Sequence, residues 1–164
     1  ITIKNTTSDG FDSDFSSGTI ENGRFENIGS QGGGDGVDVS GSKVTVINSY
    51  FENISDKGIS VGENSNLKAT NIDIKNADIG VASKDGSLLV IFDSKFSEIR
   101  KAGLMSYIKK PEYGSPEILA KNISIESTGD KFISQSGSKI TIDGVETSSV
   151  DLNVKNLYSP GVGQ

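Results

Sequence analysis

Asp9, Asp12 and Asp14 fall within the seven residues DGFDSDF (9–15), and Asp38 follows in DGVDVSGS. Paired carboxylates can act as general acid and base on a glycosidic bond, and their separation decides the outcome. Three carboxylates beside a hydroxyl such as Ser40 also offer the oxygen set that Ca²⁺ takes. Asp12, Asp14 and Asp38 are therefore candidate catalytic residues and candidate calcium ligands. Lys84, beside Asp85, is a further catalytic candidate, because a lysine becomes a base when burial or a cationic neighbour depresses its pKa. The loop SYIKKPEYGSPE brings Tyr107, Lys109, Lys110 and Tyr113 together, stiffened by Pro111 and Pro116. Tyrosine faces and ammonium tips suit sugar rings and their acid groups. Lys57 and Lys131 read as equivalent turn positions, and Lys57 stands next to Asp56, which holds it charged and reads as a structural ion pair.

The rest of the chain narrows the chemistry. With 164 residues it has the length of one domain. Its net charge of -6 disfavours nucleic acid and anionic membrane surfaces as partners. It has no cysteine and no histidine, which removes thiolate metal sites, the serine–histidine triad and the commonest general base. No stretch is apolar enough to span a bilayer, and Ile1 does not open a signal peptide. Only 33% of residues are hydrophobic, which suits a thin core with many turns.

The elements that must position these residues are repeats. Asn22, Asn48, Asn71, Asp93 and Asn122 begin matching segments, followed three residues later by Phe25, Phe51, Ile74, Phe96 and Ile125. The period is roughly 22 to 29 residues. A second register is anchored by Gly10, Gly36, Gly58, Gly80, Gly103 and Phe132, and a third short strand follows in segments such as SKVTVIN and SLLVIFD. The segments are β-branched, alternate with period two and are punctuated by Gly, Asn and Ser, which excludes helical repeats. The pattern predicts an all-β fold, a right-handed parallel β-helix (solenoid) of about six turns of three short strands. Aligned Asn and Asp columns fit, because stacked amides can hydrogen-bond along the axis.

This frame predicts where the opening carboxylates point. Phe11 aligns with Val37, Ile59, Val81, Leu104 and Ile133 and faces inward. Side chains one place on face outward. One outward column then reads Asp12, Asp38, Ser60, Ala82, Met105, Ser134. The next reads Asp14, Ser40, Gly62, Lys84, Tyr107, Ser136, with Glu63 and Asp85 just beyond. Asp12 and Asp38, one rung apart at ~4.8 Å, repel by ~3.5 kcal/mol at an effective dielectric of 20 and by under ~1 kcal/mol in water. The strip begins acidic, becomes small and then basic. Ser40, Ser60, Glu63, Asp85, Tyr107, Lys109, Lys110 and Tyr113 are its candidate substrate-binding residues.

The whole chain resembles the parallel β-helix repeats of the pectin-lyase-like superfamily. More narrowly, DSDF, DGVDVSGS, DKGISVGE, GVASKD and YIKKPEYGSPE resemble the β-helix module attached to some CotH-type bacterial surface proteins. The resemblance implies an extracellular or cell-surface setting in a multidomain parent, with no kinase activity carried over. Residues 1–164 are then a single β-helix domain, with a partial first turn over 1–9, an inserted loop over 107–116 and a C-terminal tail over 158–164. They read as an excised or incomplete piece, with neighbouring domains or end-to-end contacts as partners.

Hydrolases of the superfamily combine paired carboxylates with a histidine and an Arg-x-Lys element, and this chain has only the carboxylates. Three functions stay open. The first is a polysaccharide-binding module using the strip and the Tyr/Lys loop. The second is a polysaccharide lyase or glycosidase using Asp12, Asp14, Asp38 and Lys84. The third is a noncatalytic spacer or assembly domain.

Overall fold

The computed structural model describes residues 1–158. Of the tail expected over 158–164, all but the backbone of Tyr158 lies outside the described residues. The chain winds as a right-handed parallel β-helix of about six turns. The early turns use separate strands: β1 (Thr2–Lys4), β2 (Phe11–Asp14), β3 (Ser17–Glu21), β4 (Arg24–Ile28) and β5 (Val37–Ser40). From there β6 (Lys43–Gly62), β7 (Asn66–Lys84) and β8 (Leu88–Tyr107) each run around the three faces of a turn. β9 (Glu117–Ser127), β10 (Asp130–Ser134) and β11 (Lys139–Ile142) close the stack, and all these strands pair in parallel. β12 (Val145–Glu146) turns back antiparallel on β11 through the left-handed pair Asp143 and Gly144. Asp-Gly suits such a tight turn because both of its residues take positive φ.

The asparagine columns are the corners. Asn22, Asn48, Asn71, Asp93 and Asn122 all have φ between 49 and 54°, and Asn5, Asn27, Asn53 and Asn76 lie at 56–58°. Asparagine tolerates this left-handed conformation better than other side chains. The amides also link the turns. Asn27 Nδ2 donates to Asn5 Oδ1 at 3.0 Å, Asn53 to Asn27 at 2.9 Å and Asn76 to Asn53 at 2.7 Å. A buried column of Phe25, Phe51, Ile74 and Phe96 runs beside this ladder, with the rings of Phe25 and Phe51 stacked at 4.7 Å.

The glycine column exists because the next turn leaves no room for a side chain. A Cβ at Gly58 would sit 2.6 Å from Ile74 Cδ1 and 2.7 Å from the Gly80 carbonyl. The last anchor corrects the expected register. The space above Gly103 is bounded by the carbonyl of Lys131, and Phe132 pairs with Leu104, Ile133 with Met105 and Ser134 with Ser106. A slip of one residue exchanges the two faces of a strand. Phe132 therefore points inward, Ile133 ends the first outward column in place of Ser134, and Gln135 follows in line in place of Ser136. By the same shift Lys57 corresponds to Asp130, through Ile79 and Ala102, and not to Lys131.

Candidate functional site

The register of the outward strip forms as the alternation predicts over its first four rungs, but Ser60 and Ala82, expected to face solvent, are fully buried. Asp12 pairs with Asp38 and then Ser60 and Ala82, while Asp14 pairs with Ser40, which leads to Gly62. Asp12 and Asp14 are exposed, and Asp38 and Ser40 are half-buried. Partial desolvation by its neighbours pushes the Asp12 carboxyl above its ordinary range, exposed though the residue is. Repulsion from Asp38, Asp14 and Asp9 adds to this, and a hydrogen bond from the Ser13 backbone N–H works against it. Among the described residues no three carboxylates gather into a group able to hold a metal ion. Asp12, Asp14 and Asp38 are spread along the strip and do not surround one point.

Lys84 reaches two rungs back. Its Nζ lies 3.8 Å from Asp38 Oδ1, and its chain crosses Gly62, where a Cβ would stand 3.3 Å from Cε. The missing side chain at Gly62 opens that path. The ion pair bridges the acidic and basic ends of the strip and leaves Asp38 Oδ1 without a hydrogen bond. Ser60, between them and 0% exposed, also has no partner for its Oγ.

Asp85 plays a different part from the one expected. It is buried and turned away from the strip, and its Oδ1 accepts the backbone N–H groups of both Lys109 and Lys110 at 2.6 Å. Glu63 accepts a bond from Lys110 Nζ, which raises the Lys110 pKa. Tyr113 ends a short 3₁₀ turn (Pro111–Tyr113), and its carbonyl packs against Gly86. The loop is thus pinned at Asp85, Glu63 and Gly86 along the edge of the strip. Lys109 stays exposed on this wall. Its pKa is lowered, first by burial of its amine and then by repulsion from Lys84, Lys110 and Lys57.

The far end of the strip is covered. Tyr107, expected to face solvent, is 1% exposed. It joins Ile79, Ala82, Ala102 and Met105 in an apolar patch against which Ile133, Leu152 and Val154 pack. The C-terminal segment reaches this patch by adding one bridge to the last rung, Gln135 to Val150, and then crossing the face of the sheet. Gln135 Nε2 bonds the Leu152 carbonyl at 3.4 Å, and Ser136 Oγ bonds Asp151 at 2.9 Å. A short helix α1 (Val154–Tyr158) follows. Between this segment and the loop lies a cleft of about 550 Å³, lined by Ile108, Lys109, Gln135, Leu152 and Val154. Gln135, Leu152 and Val154 were not among the expected site residues. Their signal was the pair of apolar outward positions Ala82 and Met105, which had to be covered by something downstream.

At the entry to the strip, Lys57 is buried with two acidic partners. Its Nζ lies 2.5 Å from Asp56 Oδ2 and 3.3 Å from Asp35 Oδ1. The ion pair expected with Asp56 is present, and Asp35 joins it from the preceding turn.

A family model described as right handed beta helix region matches residues 1–144. No curated protein matches the chain, and neither does any solved structure.

Proposed function

The chain belongs to the right-handed β-helix family, and on that premise we propose that it is a polysaccharide-binding module of an extracellular or cell-surface protein. The observation that carries this reading is the graded strip on one sheet face. It runs from Asp12 and Asp38, past the buried Ser60, to Lys84 and Lys109, and ends in the cleft beside the C-terminal segment. The length of such a strip suits an extended chain better than a compact metabolite. Its acidic end offers acceptors to sugar hydroxyls, and Lys84 and Lys109 offer donors to hydroxyl or acid groups. The cleft lies within the size range of small-ligand sites. The motifs DSDF, DGVDVSGS and YIKKPEYGSPE extend the reading to a module of CotH-type bacterial surface proteins. The test is retention of the protein by a panel of neutral and acidic polysaccharides, with and without calcium. Saturable retention without product supports binding. A protein that passes every matrix unretained rejects it.

A second reading, hydrolase or lyase, is favoured by one feature. Asp12 has a raised pKa and stands one rung from Asp38, the arrangement that divides two carboxylates into acid and base. It predicts release of reducing or unsaturated ends, abolished by Asp12→Asn.

A further inference from the structure

The cluster at Lys57 contains more than an ion pair requires. Lys57 and Asp35 come from adjacent turns, and their side chains are only 5% and 6% exposed. The Lys57 amine lies 3.3 Å from Asp35 Oδ1, and the Lys57 backbone N–H donates to the same oxygen at 3.0 Å. Asp56, 25% exposed, holds the amine at 2.5 Å from its other side. A buried amine, a carboxyl polarised by a backbone donor and a second carboxyl touching the amine are the parts that amide formation needs.

We propose that Lys57 and Asp35 condense to an intramolecular amide that joins two successive turns covalently, with Asp56 relaying the protons. This is independent of what the groove binds. Burial pushes the Asp35 carboxyl up to about 6, against the pull of Lys57 and with Asp56 adding to the rise, so the neutral acid is accessible near neutral pH. Asp56 takes a proton from the Nζ ammonium. The freed lone pair attacks Asp35 Cγ, and the backbone N–H of Lys57 stabilises the oxygen that gains charge. Asp56 returns its proton to the departing hydroxyl, which leaves as water, and takes the remaining surplus proton from nitrogen. The C–N bond replaces the C–O bond, one water departs and one proton ends on Asp56, which exchanges it with solvent. No oxidant or reductant is needed. Holding the groups in contact supplies the driving advantage that a reaction between free molecules lacks.

Intact mass spectrometry of the purified, folded chain tests this. The expected mass is lower than that of the sequence by one water, and proteolysis should give a branched peptide linking the segments that carry Asp35 and Lys57. Lys57→Arg, which keeps a cation but cannot condense in this way, should restore the full mass. Asp56→Asn, shown to be folded by circular dichroism, should do the same. A full-mass wild-type chain overturns the proposal. So does a water loss that persists in Lys57→Arg, which would mark a succinimide at Asp35–Gly36. That alternative is disfavoured because the Gly36 N–H is held by the Lys57 carbonyl at 2.8 Å. A link that survives in folded Asp56→Asn overturns the relay.

Discussion

Replacing Asp85 should free the loop that walls the groove while leaving the helix intact. One carboxylate oxygen accepts the backbone N–H groups of Lys109 and Lys110, each at 2.6 Å, from a buried position. A hydrogen bond to a charged group contributes about 1.5–3 kcal/mol, and two donors sharing one oxygen contribute less than twice that. Asp85→Ala should therefore cost about 2–4 kcal/mol of local stability. At 1.4 kcal/mol per tenfold change, the Lys109 and Lys110 amides should exchange with deuterium roughly 30 to 700 times faster. Asp85→Asn keeps an acceptor oxygen without the charge and should fall between the two, at about tenfold. Amides of the central turns, such as those of Ile74 and Ile91, report the helix and should change little. Unchanged exchange at Lys109 and Lys110 in Asp85→Ala would refute the assignment of Asp85 as the loop anchor.

Three other predictions concern the frame and the strip. Gly58→Ala forces a Cβ to within 2.7 Å of the Gly80 carbonyl and should destabilise by about 1–3 kcal/mol, whereas Gly18→Ala, with nothing within 4 Å, should be neutral in the same denaturant titration. Asn53→Ala breaks the ladder bonds to Asn27 and Asn76 and puts alanine at a φ of 57°, so urea unfolding should show a loss of about 1–3 kcal/mol. Asp12 should titrate above the ordinary aspartate range by NMR, chiefly through partial desolvation, and Asp38→Asn should bring it part of the way down. A carboxyl raised on folding favours the folded state below its ordinary pKa, and this contribution fades as pH rises through the raised value. Asp12 therefore opposes stability at neutral pH, and Asp12→Asn should not weaken the fold there.

The frame was legible because its determinants are local and repeated. Each left-handed corner demands asparagine or a close substitute, and each stacked turn presents Phe or Ile at the same offset, as at Phe25, Phe51, Ile74 and Phe96. The last register was misread because the glycine rule relaxes there. Lys131 fills the anchor position at the end of the stack, where nothing forbids its Cβ, and Phe132 looked like the better match. The register of the candidate strip was legible where alternation alone governs it, at Asp12, Asp38, Ser40 and Ser60, while the burial of Ser60 was not. It was not legible where distant segments meet. The burial of Tyr107 depends on Leu152 and Val154, and the inward turn of Asp85 depends on a loop more than twenty residues away. The Lys84 to Asp38 pair spans two rungs and depends on Gly62 having no side chain.

The central claim is that the groove from Asp12 to Lys109 binds polysaccharide. Its most direct test is an NMR titration of the labelled chain with the polysaccharides that retain it, repeated on Lys84→Met. The account predicts shifts concentrated at Asp38, Ser60, Lys84 and Lys109, and a dissociation constant at least tenfold weaker for Lys84→Met. Shifts on another face, an unchanged affinity in Lys84→Met, or no polysaccharide that binds at all would contradict it.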